Sequence, residues 1–362
     1  MKFLIIPLSL IMMAYASRFV YKVIMCFFDV PKKKKIIVSV AGAITLFAIC
    51  MFVGGVLLAV AAHMLIFFLM ADVLLQVFKI PFFKKYDPTS FRYFKAVFSA
   101  GLFLFAIAMT VWGSFNASDI QIKKYSVSFE GKDYDATKVL FVSDIHAGDS
   151  NTERICRKLK DTCNTEKPQL VIIGGDIADS STSLENLNLF ADVFSQISKN
   201  IPVLFVCGNH DIMGGDGYGA ETIIRTLTSH GVIVLTDEVF EFNGIDFVGR
   251  NEYYSPEDDS RRKSIQILAP NVKTKATVVI DHQPKELEKL GEIGVDMSLS
   301  GHTHNGQIFP IGYVCSLLGI NEMQYGIKRF GSNTAIVSSG AGTWGMDVRT
   351  QGHSEFVIVE IK

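Results

Sequence analysis

The chain has 362 residues, of which 49% are hydrophobic and 20% charged, and its mean hydropathy of +0.30 is higher than soluble enzymes of this size normally reach. This composition excludes an intrinsically disordered chain. The net charge of -1 conceals an asymmetry: residues 1–118 carry 12 Lys and Arg against 3 Asp, whereas residues 119–362 carry 23 basic and 33 acidic side chains. The six cysteines form no CxxC pair, which argues against a zinc ribbon or a disulfide framework.

Apolar stretches in the first 118 residues are long enough to span a membrane, which takes about 20 apolar residues. They cover residues 3–28, 36–80 and 96–115. The second stretch is too long for one span, and Gly54 and Gly55 offer a place for the chain to turn. We therefore predict about four transmembrane helices in residues 1–118, followed by one folded domain over residues 119–362.

Lysine clusters between the predicted spans indicate the orientation of the chain. One cluster covers Lys32 to Lys35 and the other includes Lys79, Lys84, Lys85, Arg92 and Lys95. Because basic loops stay on the cytoplasmic side, four spans put the folded domain on the outer side of the cell membrane. A cleaved signal peptide is the weaker alternative, since no A-x-A-like site is followed by a soluble chain. His63 and Asp72 fall inside the third predicted span, and we interpret both as lying near a helix end or a helix interface.

From Val139 onward, short β-branched runs alternate with amphipathic stretches. Strands are predicted at residues 139–142, 170–173, 203–206, 277–280 and 297–299, and helices at 152–161, 184–198, 220–230 and 285–290. This alternation is typical of a layered α/β or α+β domain. Polar residues follow each predicted strand directly, as expected of a site at the carboxyl ends of the strands in a buried sheet.

Five of the eight histidines lie in short motifs that end predicted strands. The motifs are Asp144-Ile-His146, Asn209-His210-Asp211, Asp281-His282 and His302-Thr-His304, with Gly174-Gly175-Asp176 between the first two. In extended backbone, residues two apart point to the same side, so Asp144 and His146 could grip one ion, as could His302 and His304. Imidazole and carboxylate ligands suit Mn, Fe or Zn. Seven ligand candidates exceed one tetrahedral ion and fit two divalent metal ions, which would activate a water for attack on a phosphoester.

The order D-x-H, G-D-x-x-D, G-N-H-D, a lone His and G-H-x-H resembles the calcineurin-like metallophosphoesterase superfamily. Within it, the chain is most similar to the membrane-anchored bacterial phosphohydrolases, on account of its apolar N-terminal region, the block Gly301 to Gln307 and the late turn Gly342 to Gly345. The resemblance implies a four-layer α/β (α+β) sandwich of mixed sheets flanked by helices. It further implies one metal held by Asp144, His146 and His304, a second held by Asn209, His282 and His302, and Asp176 bridging the two.

The resemblance also implies that His210 faces the phosphoryl group rather than a metal, and that Asp179 orients it. Asp211 competes for that orienting role, although it reads better as a brace for its loop. The chain departs from the family at Asn305, where a second glycine usually follows the last histidine. The Arg-Gly that follows G-D-x-x-D in protein Ser/Thr phosphatases is missing, and so is the tyrosine that purple acid phosphatases carry after a metal-binding Asp.

The leading hypothesis is a membrane-anchored dinuclear-metal phosphohydrolase that cleaves phosphodiester or pyrophosphate bonds by attack of a metal-activated hydroxide. Anchoring favours a lipid-linked substrate among the membrane lipids. One alternative is a UDP-2,3-diacylglucosamine-type pyrophosphatase of lipid A synthesis, whose cytoplasmic substrate conflicts with the predicted orientation. The others are a nuclease, which the acidic domain disfavours so that no nucleic acid partner is expected, and a non-catalytic metal-binding membrane module. The apolar stretch 309–325 either packs on the domain or forms a lip near the bilayer, and Arg349 and Trp344 are candidate substrate contacts.

Overall fold

The computed structural model describes residues 88–252 and 262–362, together with the isolated residues 37, 63, 66, 67 and 70. The first three predicted spans and Asp72 therefore lie outside the described residues, apart from those isolated positions. The chain divides into two compact units. One comprises residues 1–114 and 345–348, and the other comprises residues 115–344 and 349–362.

The described part of the first unit is dominated by helix α1, which runs from Pro88 to Ser118 and ends in the second unit. It contains the last predicted span. Among the described residues, Ala100–Ser118 is long and apolar enough to cross a membrane. His63 is buried, and its Nδ1 lies 3.4 Å from Oγ1 of Thr110 on α1. His63 thus lies at a helix interface, as the sequence interpretation expected.

Two mixed sheets of six strands each form the centre of the second unit. The strands are β1 Ile120–Val127, β2 Thr137–Val142, β3 Leu170–Ile173, β4 Val203–Phe205, β5 Ile233–Val234, β6 Glu238–Phe242, β7 Ile245–Gly249, β8 Ala276–Ile280, β9 Met297–Ser300, β10 Gly326–Phe330, β11 Asn333–Val337 and β12 Ser354–Ile361. The strand orders are β1-β12-β2-β3-β4-β5 and β10-β11-β9-β8-β7-β6. Strands β2 to β5 are parallel to one another, as are β7, β8, β9 and β11.

The helices of the second unit lie on the outer faces of the sheets and in the loops between strands. They are α2 Thr152–Glu166, α3 Leu184–Ser198, α4 Asn209–Met213, α5 Ala220–Ser229, α6 Ile265–Leu268, α7 Leu287–Ile293 and α8 Ile311–Leu317. The side chains of β2 alternate between two cores: Val139 and Phe141 pack against the other sheet, whereas Leu140 and Val142 pack against the core that contains α2 and α3. A third core lies between β8 and α7. The predicted four-layer sandwich of mixed sheets flanked by helices is confirmed.

Burial on both faces explains why the sheet centre was predictable from sequence. Strand β3, Leu-Val-Ile-Ile, is fully buried, and such continuous β-branched runs are characteristic of parallel strands covered by helices. All five predicted strands are present with ends shifted by at most two residues, and α3 has its predicted bounds. Helix α2 continues five residues beyond its predicted end, and α7 starts two residues later and ends three residues later than predicted. Because β2, β3 and β4 are parallel, their carboxyl ends meet at one edge, and so do those of β8 and β9.

Candidate metal centre

The predicted ligands lie in the loops that leave the carboxyl ends of β2, β3, β4, β8 and β9. Five of them have positive φ angles, in the left-handed region that non-glycine residues rarely adopt: Asp144 (51°), His146 (43°), Asp176 (52°), His302 (69°) and His304 (49°). The prediction that each two-residue motif converges through extended backbone is therefore wrong. Tight left-handed turns aim these side chains inward instead, and such strained backbone is concentrated at functional sites.

A first group of ligand atoms belongs to Asp144, His146 and His304, and these atoms all lie within 4.8 Å of one another. Nε2 of His146 lies 3.1 Å from Nε2 of His304, which is 3.5 Å from Oδ1 of Asp144. Burial alone would lower the pKa of His146, but the neighbouring Asp179, Asp176 and Asp144 raise it above its ordinary value. Burial, and then the charge of His146, lower the pKa of His304. His304 thus keeps a free electron pair for a metal near neutral pH.

A second group comprises Asp144, Asp176 and His282, again within 4.8 Å. Nε2 of His282 lies 3.1 Å from Oδ2 of Asp176. Nearby, Oδ1 of Asn209 is 2.7 Å from Nδ1 of His302. Burial and the charge of His282 lower the pKa of His302 to about 4. The structure therefore brings all seven predicted ligands into one cluster in which the two groups share Asp144.

The contacts of His282 fit metal binding. Nδ1 of His282 is 2.8 Å from the carbonyl oxygen of Gly174, a contact in which the ring N–H donates to the carbonyl. The opposite atom, Nε2, is buried and faces Oδ2 of Asp176, one of the predicted ligands, at 3.1 Å. A metal-ligating histidine commonly has this arrangement, with one nitrogen tied to the backbone and the other facing the ion. The mixed nitrogen and oxygen donors fit a pair of divalent cations such as Mn, Fe or Zn.

Glycines let the ligand loops approach one another closely. A Cβ atom on Gly208 would lie 2.2 Å from Oδ1 of Asp176, and one on Gly301 would lie 2.2 Å from Oδ2 of Asp144. Both distances are far below a normal contact, so a side chain at either position would displace a ligand. Asn305 replaces the glycine that is usual in the family, and its φ of 50° is one that asparagine tolerates better than most residues. This departure therefore preserves the turn at His304.

The structure places Asp179 differently from the sequence expectation. Its Oδ2 lies 3.2 Å from Nδ1 of His146, and its Oδ1 accepts hydrogen bonds from the backbone N–H (2.8 Å) and hydroxyl (2.6 Å) of Ser181. Asp179 therefore contacts the ligand His146, and no hydrogen bond joins it to the His210 ring among the described residues. The expectation that Asp179 orients His210 is not what this geometry favours, because the imidazole of His146 is the one within reach.

His210 lies beside the ligands at the rim of the cluster. Its ring centroid is 5.1 Å from that of His146 and 5.5 Å from that of Trp344, and its backbone N–H donates to Oδ1 of Asp176 at 2.8 Å. Burial lowers the pKa of His210, and the nearby His146 lowers it further against the opposing charge of Asp176. No hydrogen bond from the His210 ring occurs among the described residues, which leaves its nitrogens available to a bound substrate.

Asp211 braces two ligand loops, which is the role that the sequence interpretation preferred for it. Its carboxylate is fully buried and accepts hydrogen bonds from the backbone N–H groups of Asp176 (2.7 Å), Gly208 (2.8 Å) and Ala178 (3.0 Å). One side chain thus fastens the loop after β3 to the loop after β4. Asp211 contacts backbone N–H groups of both loops and none of the histidines.

Arg349 is fully buried, and its guanidinium donates to the carbonyl oxygens of His304 (2.9 Å) and Gly342 (2.6 Å). It supports the His304 turn from behind, so the idea that it touches substrate is wrong. Trp344 is half exposed, and its backbone is held by two hydrogen bonds to the side chain of Gln307. This bracing by Arg349 and Gln307 could not be predicted from the sequence, because neither residue type is a metal ligand here and their partners are distant in the chain.

Comparisons with known proteins agree with this geometry. Residues 137–306 match the family described as calcineurin-like phosphoesterase. An uncharacterized metallophosphoesterase of Helicobacter pylori is 29% identical over 227 residues, which cover 62% of this chain and 59% of that protein. One from Aquifex aeolicus is 27% identical over 266 residues, or 71% of this chain and 97% of that protein. A Danio rerio protein named "Transmembrane protein with metallophosphoesterase domain" is 25% identical over 275 residues, or 70% of this chain and 60% of that protein. The chain thus matches only about 59% of the length of the Helicobacter relative.

Proposed function

We propose that the chain, whose residues 137–306 match the calcineurin-like phosphoesterase family, is a membrane-associated, metal-dependent phosphoric ester hydrolase. We propose further that it cleaves phosphodiester or pyrophosphate bonds. The observation that carries this proposal is the convergence of seven nitrogen and oxygen ligands, from five separate loops, beside an imidazole that is not itself within the ligand groups.

The ligand set divides naturally between two ions. Asp144, His146 and His304 would hold the first ion, and Asn209, His282 and His302 would hold the second. Asp176 would serve both, because its Oδ2 lies 3.8 Å from Nε2 of His146 and 3.1 Å from Nε2 of His282, in addition to the Asp144 that the two groups of ligand atoms share. Two divalent cations bound there would lower the pKa of a water between them and draw charge from the phosphoryl oxygens. The chain's own contribution is to fix the ligands in place through Asp211, Arg349 and the close approaches at its glycines.

His210 would act on the substrate directly. A ring at the rim of the cluster, with no hydrogen bond from its nitrogens to the described residues, can donate a hydrogen bond to a phosphoryl oxygen and, in its protonated form, a proton to the leaving oxygen. Asp179 would serve as a positioning residue for His146, because its carboxylate holds Nδ1 and turns Nε2 toward the ligand cluster.

Membrane association is supported by the apolar helix Ala100–Ser118 and by the zebrafish relative named as a transmembrane protein. We propose a multi-pass protein of the inner or plasma membrane with its hydrolase domain outside the cytoplasm, as the lysine clusters predict. Such anchoring favours a lipid-linked ester as substrate, and the acidic domain argues against nucleic acid. Reporter fusions at residue 119 and at residue 362 test the topology, since cytoplasmic signals at both positions would contradict it.

The activity is tested with the purified full chain in detergent, after chelation and reloading with Mn, on bis-p-nitrophenyl phosphate. We expect the wild-type rate to exceed those of Asp176→Ala and His210→Ala by at least about 100-fold, the usual scale for losing acid–base catalysis. Asp192→Asn is the matched control, because its carboxylate is two-thirds exposed on α3, and it should keep the wild-type rate. A wild type no faster than the two site variants would favour a non-catalytic metal-binding module.

Elemental analysis tests the number of bound metal ions independently of the hydrolytic activity. We expect about two ions per chain in the fully loaded wild type. His210→Ala should retain this metal content, because its ring is not among the ligand groups, whereas Asp176→Ala should lose at least one ion. A single ion in the fully loaded wild type would overturn the dinuclear proposal even if phosphodiester hydrolysis were observed.

A further inference from the structure

The chain enters the hydrolase domain at the same edge where the ligands lie. Strand β12 is antiparallel to β2, with Val357 opposite Phe141, so Ser354 lies beyond the carboxyl end of β2. Strand β1 is parallel to β12, and Ile120 pairs with Ser354. The first residue of β1 is therefore at the ligand edge of the sheet. A single residue, Asp119, separates it from the apolar helix that ends at Ser118.

The end of that helix is fixed to a loop at this edge. Asn116 is buried, and its amide nitrogen donates to the carbonyl oxygens of Arg349 (2.9 Å) and Gly352 (2.7 Å). The hydroxyl of Ser354 donates to the carbonyl of Ala117 at 2.9 Å. No flexible linker intervenes, so a membrane crossed by Ala100–Ser118 would lie within reach of the ligand edge.

The same loop holds the start of helix α8. Oε1 of Gln351 accepts a hydrogen bond from the backbone N–H of Gly312 at 3.1 Å, and the backbone N–H of Gln351 donates to the carbonyl of Gln307 at 2.9 Å. Residues 349–352 therefore connect three things: the end of the apolar helix, the His304 turn and α8.

Helix α8 and the residues after it expose a continuous apolar surface. The exposed fractions are 66% for Tyr313, 46% for Val314, 87% for Leu317, 68% for Leu318 and 61% for Ile320. Residues 309–320 contain no charged side chain. Exposed apolar patches of this kind mark interaction sites, and an uncharged one matches the acyl region of a bilayer.

We propose that this surface, residues 313–320, inserts into the bilayer that the apolar helix crosses and holds the metal centre's rim at the depth of the lipid headgroups. The inference rests on the proposed membrane association and is independent of the proposed chemistry. It decides between the two interpretations of the stretch 309–325 in favour of a membrane lip, because α8 buries only Gly312. A bilayer fits better than a second protein copy, since a bilayer contact follows from the position of the helix end alone.

The test measures how deeply residues 313–320 lie in the membrane, and it does not depend on enzymatic activity. The full chain carrying Trp112→Phe and Trp344→Phe, and hence no native tryptophan, receives Leu317→Trp and is reconstituted in vesicles of phosphatidylethanolamine and phosphatidylglycerol. We expect lipids brominated on their acyl chains to quench the introduced tryptophan by about half or more. Lys199→Trp is the matched control, because this exposed residue follows α3 at the opposite edge of the sheet, and it should not be quenched.

Leu318→Trp serves as a second probe, in case the first variant fails to fold. Quenching equal to that at position 199, with full accessibility to acrylamide, would overturn the proposal. A blue-shifted emission that brominated lipids do not quench would also overturn it, because a protein surface such as a second copy would then cover the patch. Carbonate extraction distinguishes failure of the insertion of residues 313–320 from failure of the membrane anchoring. If the chain stays in the membrane while position 317 is unquenched, the insertion is refuted and the anchoring is retained. If carbonate extracts the chain, both are refuted.

Discussion

The ion pair between Lys132 and Asp296 yields the sharpest stability prediction. Nζ of Lys132 donates to Oδ2 of Asp296 (2.7 Å) and to the carbonyl oxygens of Val272 (2.7 Å) and Gly294 (3.0 Å). Each side chain of the pair is only 8% exposed. Lys132→Met keeps the apolar stem and removes the ammonium, which leaves Asp296 with the backbone N–H of Thr277 at 2.8 Å.

Removing one partner of a buried ion pair typically costs about 3–5 kcal/mol. The loss is limited because Asp296 can take up a proton instead, which at pH 7 costs about 4 kcal/mol for a carboxyl of ordinary pKa. We therefore expect Lys132→Met to lower the free energy of unfolding by about 3–4 kcal/mol, a large part of the total for one domain. Lys124→Met is the matched control, since Lys124 contacts Glu166 at the same 2.7 Å but is 56% exposed, and it should cost less than about 1 kcal/mol.

The pH dependence has a definite sign. Burial raises the pKa of Asp296 even against the opposing effects of Lys132 and Thr277, and removing Lys132 raises it further. A carboxyl whose pKa is higher in the folded than in the unfolded protein destabilises the fold above its folded pKa, and protonation relieves this as the pH falls through that value. The deficit of Lys132→Met should therefore shrink between pH 7 and the ordinary pKa of about 4.

The assay is urea unfolding of the full chain in detergent micelles, followed by near-ultraviolet circular dichroism. Adding Asp296→Asn to Lys132→Met should recover part of the loss, because it removes the stranded charge. Equal losses for Lys132→Met and Lys124→Met, or a deficit that does not shrink in acid, would refute the reasoning.

Three further predictions concern the metal centre. Gly208→Ala should lower kcat on bis-p-nitrophenyl phosphate more than about tenfold, because the added Cβ would displace Asp176. Gly219→Ala is the control and should not lower kcat, since its Cβ would meet nothing within 4 Å. Equal rates for the two variants would contradict the close approach of Gly208 to Asp176. Arg349→Lys should weaken Mn binding in calorimetry by about 10-fold or more, because lysine lacks the planar fork that reaches both carbonyls, and an unchanged affinity would show that the bracing is dispensable. Asp179→Asn should weaken Mn binding about 10–100-fold, because Asp179 contacts the ligand His146. His210→Ala should instead lower kcat and leave the affinity for Mn unchanged. If Asp179→Asn lowered kcat without weakening Mn binding, the sequence prediction that Asp179 orients His210 would be restored.

The centre of the fold was predictable because strands that are buried on both faces consist largely of apolar residues, which form a recognisable run in the sequence. Strands β2, β3, β4, β8 and β9 are buried on both faces, apart from half-buried Lys138, and each is followed by the polar residues of a motif. The outer strands carry weaker patterns. Strands β6 and β10 are each exposed at three of their five positions, and β1 carries two adjacent lysines at Lys123 and Lys124, so none of them has a continuous apolar run.

The candidate site was predictable in its membership and less so in its geometry. The seven ligand positions were named from motif spacing and family resemblance, and the structure gathers them together. The left-handed backbone at Asp144 and His304 could not be read from residue types that usually avoid it. The pairing of Asp179 with His146, and the support that Arg349 gives to His304, depend on contacts between residues 33 and 45 positions apart, which local patterns do not encode.

The position of β12 has a consequence for how the protein is made. Strand β1 pairs with β12, and β12 in turn pairs with β2, so the first strand after the apolar helix joins its sheet only through a strand that starts at Ser354. Strands β2 to β5 pair with one another within residues 137–234, a much shorter length of chain, and closing a long loop is entropically costly. As the polypeptide leaves the ribosome, these four strands can therefore pair early. Strand β1 can join the sheet only after residues 354–361 have been synthesised, and the loop 349–352 that supports His304 is completed at the same stage.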